Sequence, residues 1–331
     1  MATDQTSQIL TRTVQTYEEY NEALASVNGR LVLAGREKAP WCHETLSFDA
    51  TVLQVSQEGA AGFYEGEGIP DHVTIALSLP APCWIRVNGG VIDSRCLLMI
   101  RSGDAVSSYG TDVSRYAALV IPVERFVELV GQLDPAQIER LMYGADRPGI
   151  SAADWKLLVG LVNRLFGEAA KGDVLSHRAV QQAVVEDLIG AFVDAVARSS
   201  DRPSPTGRPQ APRPHIVARI REFLDSPSSS AYSVAEMAGH AEVSLRTLRR
   251  VVKEQFGVAP KQLLTLRQLH DVRTALERAS LCQTVSSIAA SHGVWELGRF
   301  AQRYRELYGE NPSATLAAPP AATARPRLVR I

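Results

Sequence analysis

Four cationic side chains recur on one side of a predicted helix near the C-terminal end of the chain. They are Arg246, Arg249, Arg250 and Lys253, in the segment LRTLRRVVKEQF. The apolar residues between them have the spacing of an inward-facing helix surface, namely Leu248, Val251, Val252 and Phe256. Only Glu254 offsets the cations, and such a face repels itself unless it meets a polyanion. The pattern favours DNA binding over an ordinary solvated face.

A second segment, GRFAQRYRELY, repeats this arrangement further along the chain. It would expose Arg299, Gln302, Arg303 and Arg305 and bury Phe300, Tyr304 and Leu307. Each helix is followed by a glycine and then a proline, which is typical of a helix C-terminus. These residues are Gly257 and Pro260, and Gly309 and Pro312.

A shorter predicted helix and a turn precede each cationic helix. Met237 and Ala238 lie on the inner face of the first short helix, and Ser244 occupies the N-cap position of the cationic helix. In the second unit, His292 and Gly293 form the turn. A short helix, a turn and a longer exposed helix predict a helix-turn-helix unit, so we expect two of them.

A third predicted helix, residues 262–278, lies between the two units. Its apolar residues have helical spacing: Leu266, Leu269, Val272 and Leu276. Such a helix is about 25 Å long at 1.5 Å per residue, somewhat shorter than the roughly 34 Å turn of B-DNA. We therefore expect both units to enter adjacent segments of the major groove.

The charges of the 331-residue chain are unevenly distributed, although the net charge is only −1. Residues 1–212 hold 18 lysines and arginines against 26 acidic residues, whereas residues 213–331 hold 17 against 10. An acidic first part and a basic last part predict that only the C-terminal module contacts nucleic acid.

Composition excludes several classes of protein. The apolar fraction of 45% is normal for globular domains, and the length fits about two of them. No apolar run approaches the roughly 18 residues of a membrane span, and the polar N-terminus lacks the apolar core of a signal peptide. Four scattered cysteines suggest reduced thiols. We expect a cytoplasmic protein without a membrane partner.

Short apolar runs broken by turn residues fill residues 30–122 and predict a β-sandwich or barrel. Asn88-Gly89-Gly90 is the clearest hairpin turn. Two amphipathic helices follow, residues 151–166 with Ser151 and Asp154 as a capping box, and residues 175–197. This helical hairpin would pack either on the barrel or on a second copy of the chain.

A proline-rich stretch, SSDRPSPTGRPQAPRP, separates the two parts and reads as an extended linker. The predicted organisation is a regulatory domain at 1–198, the linker at 199–214, a DNA-binding domain at 215–316 and a disordered tail at 317–331.

Residues 233–316 resemble the DNA-binding domain of the AraC/XylS family of bacterial transcription regulators. The resemblance lies in VSLRTLRRVVKEQFGVAP, LRQLHDVRTAL and GRFAQRYRELYGENPS, in that order. The segment AEMAGHAEVS and Trp295 are similar to the branch that includes the ethanolamine-operon regulator.

The resemblance implies an overall α+β architecture, in which a cupin-like barrel with its helical hairpin precedes an all-α domain. It also implies a homodimeric activator that responds to a small-molecule effector and has double-stranded promoter DNA and RNA polymerase as partners.

The same resemblance implies roles for individual side chains. The base-reading positions correspond to Arg246, Arg249 and Arg250 in the first unit, and to Gly298, Arg299, Gln302 and Arg303 in the second. Arginine pairs with guanine and glutamine with adenine. Gly298 has no side chain, which leaves Arg299 and Gln302 as the better readers. Phosphate contacts are expected from Lys253, Arg303 and Arg305. For each single residue, contact with a base and contact with the DNA backbone are both alternatives.

Aromatic and polar residues of the N-terminal domain form a second candidate site. Trp41, His43, Phe48, Phe63, Tyr64 and Trp84 would either line an effector pocket at a barrel mouth or belong to the core.

A metal-dependent cupin enzyme would need clustered imidazoles and carboxylates, but this region offers only His43-Glu44 and the distant His72. No GxSxG, GxxxxGK[ST] or GxGxxG motif occurs. We therefore predict no catalytic residue, metal or cofactor, and expect a DNA-binding regulator. An architectural DNA-binding protein, or an enzyme with a DNA-binding tail, is the alternative.

Overall fold

The computed structural model describes residues 13–25, 29–81, 85–94, 96–143, 146–171, 178–199, 214–225, 233–280 and 283–317. Most of the predicted linker, the predicted tail after residue 317 and the start of the second hairpin helix lie outside the described residues. None of the described helices has both the length and the apolar character needed to cross a membrane.

The strands of the described residues all lie in the first part of the chain. They are β1 (Thr13–Val14), β2 (Arg30–Leu33), β3 (Cys42–Phe48), β4 (Thr51–Glu58), β5 (Gly62–Glu67), β6 (His72–Ser78), β7 (Ile85–Val87), β8 (Gly90–Ile92), β9 (Leu97–Ile100), β10 (Ala105–Gly110) and β11 (Ser114–Pro122). They form two antiparallel sheets, ordered β1-β3-β4-β11-β6-β9 (sheet I) and β2-β5-β10-β7-β8 (sheet II).

The helices occur before, after and apart from this β-region. In chain order they are α1 (Tyr17–Ala25), α2 (Val123–Val130), α3 (Pro135–Tyr143), α4 (Ala152–Ala169), α5 (Arg178–Ala197), α6 (Pro214–Asp225), α7 (Val234–His240), α8 (Leu245–Phe256), α9 (Pro260–Glu277), α10 (Val285–Ser291), α11 (Leu297–Tyr308) and α12 (Pro312–Ala317). The predicted α+β architecture, a β-domain with a helical hairpin followed by an all-α domain, is confirmed.

Local sequence signals place several of these elements where they were predicted. Asn88 and Gly89 join β7 to β8 with φ angles of 44° and 79°, the positive pair that a tight hairpin turn requires. Ser151 caps α4, since its side chain accepts a hydrogen bond from the backbone N–H of Asp154. Short cap and turn signals therefore fix the element boundaries of the β-domain.

Two apolar layers surround sheet I. Its inner residues, such as Ala76, Leu98 and Ala118, pack against Val87 and Val106 of sheet II. On its other face, buried side chains from β4, β6 and β11 pack against helices α2 to α5. The helical hairpin α4–α5 thus packs on the sheet of its own chain, one of the two arrangements that the sequence allowed.

A third apolar core joins the two parts of the chain. It contains Tyr17 and Tyr20 from α1 and Phe63 from β5, together with the buried side chains of α6 to α11. The N-terminal domain and the C-terminal helices therefore share buried apolar surface, which stabilises one arrangement of the two.

Candidate nucleic-acid interface

The first candidate unit consists of α7, a turn and α8. Ser233 and Glu236 form a reciprocal capping box at the start of α7, and Ser244 caps α8 by accepting a hydrogen bond from the backbone N–H of Thr247. Met237 and Leu248 are fully buried between the two helices. The predicted N-cap and the predicted inner face are both present in the structure.

The turn between α7 and α8 is closed by a left-handed residue, Glu242, with φ of 53°. The N–H of Glu242 donates to the carbonyl of Gly239, and the N–H of Val243 donates to that of Ala238. This is the hydrogen-bond pattern of a Schellman motif.

The second unit repeats this geometry with different residues. Thr284 and Ser287 form the capping box of α10, and Gly293, with φ of 71°, occupies the left-handed position. The N–H of Val294 donates to the carbonyl of Ala289 at 2.9 Å, just as the N–H of Val243 donates to the carbonyl of Ala238 in the first unit. The two units are therefore the same supersecondary structure in two copies.

All eight predicted DNA-contacting side chains lie on α8 or α11, and all are exposed. They are Arg246, Arg249, Arg250, Lys253, Arg299, Gln302, Arg303 and Arg305. Both helices have twelve residues and end at a left-handed glycine, Gly257 or Gly309. The structure thus presents two equivalent exposed helices with a cationic face.

Some of these side chains make intrachain contacts. The ammonium of Lys253 donates to the carbonyl of Gly257 at 2.6 Å, at the C-terminus of α8, where a cation is favourable. Arg299 pairs with Glu296 at 2.9 Å, and the amide of Gln302 donates to Glu306 at 2.9 Å. Exposed pairs of this kind contribute little stability, so these groups can exchange partners at small cost.

The helix α9 holds both units in one body. It has eighteen residues, or about 27 Å at 1.5 Å per residue, and it contacts α7, α8, α10 and α12. Its buried Leu264, Leu269 and Val272 belong to the same core as Leu248 and Phe300. The bridge predicted from the sequence is confirmed, and it fixes the spacing of the two exposed helices.

Residues 237–318 match the family described as Helix-turn-helix domain. This part of the chain is similar to that family, and the structure shows two helix-turn-helix units in it. The helices α8 and α11 are the second helices of these two units.

Two curated relatives have names that refer to operon control. The chain is 26% identical to the "Probable thc operon regulatory protein" of Rhodococcus erythropolis over 58% of each chain. It is 32% identical to the "XylDLEGF operon transcriptional activator" of Pseudomonas putida over 30% of this chain and 31% of the relative. The chain therefore spans little more than half of one relative and about a third of the other.

Solved structures include an apo variant of ToxT from Vibrio cholerae at 12% identity. That match covers 81% of this chain and 97% of the other, with a TM-score of 0.34. A TM-score this low does not establish a shared overall arrangement of the domains.

The C-terminal end of α8 packs on the N-terminal domain. The side-chain amide of Gln255 donates to the hydroxyl of Ser107 in β10 at 2.7 Å, and both residues are buried. Phe256 packs edge-on against Phe63, which stacks on Tyr109 at 4.8 Å. The N-terminal domain thus contacts the helix-turn-helix domain at the helix that carries four of the candidate DNA contacts.

The helix α1 forms a second junction, against α9. The hydroxyl of Tyr17 lies 3.4 Å from Nδ1 of buried His270, and Glu18 pairs with Arg273 at 2.6 Å. One turn further along α1, Tyr20 is buried and its hydroxyl lies 2.8 Å from that of Tyr116 in β11. A single short helix thus contacts both the β-domain and the bridge helix.

Five of the six predicted pocket residues are described, and they lie in more than one apolar core. Phe48 lies in the core between sheet I and α2 to α5, whereas Phe63 faces the helix-turn-helix domain. Trp41 is buried beside Tyr17 and Tyr20, with its indole N–H donating to Glu37. Nδ1 of His43 lies 2.9 Å from the hydroxyl of Ser56, Tyr64 is partly buried, and Trp84 lies outside the described residues.

A polar cluster that the sequence analysis missed lies on the inner face of sheet I. Glu58 is 4% exposed, and its carboxylate accepts a hydrogen bond from the hydroxyl of Ser114 at 2.9 Å. Burial raises the pKa of Glu58 to about 7 and that of Tyr64 to about 12. Ser56 and Tyr116, which pair across β4 and β11, belong to the same face.

The signal for this cluster was present but weak. In β4, Leu53 and Val55 occupy one face, so strand alternation places Ser56 and Glu58 on the other. No three His, Cys, Asp or Glu side chains among the described residues are grouped so as to hold a metal ion.

Proposed function

We propose that this chain is a sequence-specific DNA-binding transcription regulator, acting as an activator under the control of a small-molecule effector. The observation that carries the proposal is the pair of equivalent recognition helices, each exposing a cationic face and both held by α9 in one core. Two such helices on one rigid body suit adjacent segments of a major groove.

The roles of individual side chains form part of the proposal. Arg246, Arg249 and Arg250 read bases from α8, with Lys253 on a phosphate. Arg299 and Gln302 read bases from α11, with Arg303 and Arg305 on phosphates. The names of the relatives support operon control. The ethanolamine-regulator branch, the homodimer, the contact with RNA polymerase, the cytoplasmic location and the domain limits 1–198, 199–214, 215–316 and 317–331 stay predictions.

The contacts of α1 supply a route by which an effector acts on the helix-turn-helix domain. Tyr20 reaches the inner polar cluster through Tyr116, while Tyr17 meets His270 on α9. A ligand that binds beside Glu58 and displaces Tyr20 would also strain the junction with α9. Coupling of this kind needs different affinities for the two arrangements, typically by about 1–3 kcal/mol.

The experiment that tests the proposal is a binding titration by fluorescence anisotropy. Full-length protein is titrated onto labelled fragments from upstream of its own and adjacent genes, with random DNA as competitor. Wild type is compared with Arg250→Ala and Arg299→Ala, and with Arg164→Ala, an exposed arginine of α4, as matched control. We expect one fragment to be bound at least about 10³-fold more tightly than random DNA.

Each outcome separates the candidate functions. Loss of affinity or preference in Arg250→Ala and Arg299→Ala, but not in Arg164→Ala, supports a regulator that reads sequence. Tight binding to every fragment with a steep salt dependence would instead identify an architectural DNA-binding protein. No preference for any fragment at any salt concentration, with all variants alike, would contradict the proposal.

A further inference from the structure

Large apolar side chains are exposed at only a few places in the described residues, and they cluster at the recognition helices. The exposed set is Val127, Leu157, Leu245, Trp295 and Leu297. Three of these five lie at the N-terminal end of α8 or α11. Single exposed apolar residues are common on protein surfaces, but this concentration at the two equivalent helix starts calls for a physical explanation.

The three residues occupy matched and well-anchored positions. Leu245 is the first residue of α8 and Leu297 the first residue of α11, and their exposures are 42% and 41%. Trp295 is 80% exposed, although the preceding Val294 is buried and bonded to α10 through its N–H. The indole is therefore held out into solvent by an ordered turn.

The second helix start has little net charge with which to attract phosphate. Glu296 and Arg299 pair with each other at 2.9 Å. Gly298 stands where the first unit has Arg246, because both are the second residue of their helix. Electrostatic attraction at this unit thus comes from cations further along α11, and the start of the helix offers chiefly apolar surface.

The glycine itself points to a close neighbour from outside the chain. A Cβ at Gly298 would meet nothing within 4 Å, so packing within the chain does not require glycine there. Glycine in a helix costs up to about 1 kcal/mol relative to alanine. Its effect is to leave bare backbone beside Trp295 and Leu297, where another molecule can approach closely.

We propose that Trp295, with Leu297 and Leu245, reads thymine methyl groups in the major groove of double-stranded DNA. The inference rests on the proposed function. It adds recognition of an apolar group of the bases to the hydrogen bonds that the arginines and Gln302 are proposed to make with base edges. The first residues of a recognition helix face the base edges, and the C5-methyl of thymine is the apolar feature of the groove. The flanking cations Arg246 and Arg303 favour DNA as the occupant over an apolar protein surface.

The test uses full-length protein and removes one methyl group at a time. A preferred duplex is selected from a random DNA pool, and each thymine in it is then replaced singly by deoxyuridine. For wild type we expect binding to weaken about fourfold at one or two positions, the effect of one buried methyl group. Trp295→Ala should bind the thymine duplex more weakly and no longer distinguish thymine from deoxyuridine at a position that Trp295 reads.

Two control variants make the result specific. Leu157→Ala removes an exposed apolar side chain from α4 and should change neither affinity nor discrimination. Arg303→Ala should weaken binding to both duplexes alike, because a phosphate contact does not sense the methyl group. Circular dichroism of Trp295→Ala checks its helix content, and Trp295→Leu, which keeps apolar surface, should retain part of the discrimination.

Failure of the inference differs from failure of the proposed function. If a preferred duplex is found but wild type binds every deoxyuridine duplex equally well, the apolar readout is wrong and the regulator remains. The same conclusion follows if Trp295→Ala discriminates as wild type does. If no sequence is selected from the pool, the proposed function fails, and this inference fails with it.

Discussion

The side-chain amide of Gln255 donates a 2.7 Å hydrogen bond to the hydroxyl of Ser107, and both side chains are buried. Gln255 lies on recognition helix α8, whereas Ser107 lies on β10 of the N-terminal domain, 148 residues away in sequence. The bond lies beside the aromatic contact of Phe63 with Phe256. The helix that we propose to contact DNA is therefore joined directly to the domain that we propose to sense an effector.

Replacing Gln255 by alanine should loosen this junction. The change removes the donor to the hydroxyl of Ser107, which keeps its 3.3 Å bond to the side-chain oxygen of Asn88, so the cost is that of one hydrogen bond, about 0.5–1.5 kcal/mol. We expect a lower free energy of unfolding in urea titrations. The double variant Gln255→Ala/Ser107→Ala should lose less than the sum of the two single variants, whereas additive losses would show that the bond contributes nothing.

Alanine at Gly257 should disturb the same junction by a different route. Gly257 has φ of 72°, and a Cβ there would collide with the ring of Tyr109. Gly309 is the matched control, since it has φ of 77° at the end of α11 but nothing lies within 4 Å of its Cβ position. Both substitutions should cost about 1 kcal/mol in backbone strain.

Only Gly257→Ala should also separate the two domains. Small-angle X-ray scattering is expected to show a larger radius of gyration for Gly257→Ala than for Gly309→Ala, and both variants should keep the wild-type helix content. Equal radii for the two variants would argue against the contact between α8 and Tyr109 in solution.

The sequence predicted best what short segments determine. Ser244 and Gly257 mark the ends of α8 because capping depends on a few neighbouring residues. The turn at Glu242 was harder, since a glutamate gives no sign of a left-handed conformation. The predicted turn at Gly293 was visible because glycine adopts that conformation without strain.

Contacts between distant segments could not be predicted in this way. Nothing local in α1 shows that Tyr17 meets His270 or that Tyr20 meets Tyr116, because each pair forms only when the domains assemble. The aromatic residues suggested as a pocket are a similar case. Residue type shows that Phe48 is apolar, but the face of the sheet on which it lies depends on register.

Acid should weaken the junction between α1 and α9 through His270. The imidazole is buried against Tyr17 of α1, with the charges of Arg30 on β2 and Arg267 and Arg273 on α9 nearby. The pKa of His270 is lowered to about 3, from 6.5 in a solvated chain. Burial is the larger cause, and the charges of these cations add to it. Between these pH values the unfolded chain therefore binds a proton that the folded protein does not. The free energy of unfolding falls as the pH drops below 6.5.

The comparison with His270→Asn isolates this effect. Between pH 6 and 4, the free energy of unfolding of wild type should fall more steeply than that of the variant, by about 1.4 kcal/mol per pH unit. Urea titrations at several pH values measure both slopes. Parallel curves for wild type and variant would mean that His270 is not buried as a neutral group.

The buried carboxyl of Glu58 should give a pH dependence of the opposite sign. Its pKa is raised by burial from 4.5 to about 7, so the folded protein holds a proton that the unfolded chain releases. The contribution of this proton to the free energy of unfolding is fully present below pH 4.5, and it is lost as the pH rises through 7. The loss amounts to about 3 kcal/mol in total, since each pKa unit corresponds to about 1.4 kcal/mol.

Glu58→Gln removes the titrating group while keeping a side chain of similar shape that can bond Ser114. We expect the variant to be more stable than wild type at pH 8 and similar to it at pH 4.5, as measured by urea unfolding. Glu124→Gln, at the exposed start of α2, is the matched control and should show no such crossover. A constant difference between Glu58→Gln and wild type across this range would show that folding does not change the protonation of Glu58, so that its carboxyl is ionised in the folded protein at neutral pH. In that case the inner face of sheet I carries a buried negative charge, and a cationic ligand would be the one to test there first.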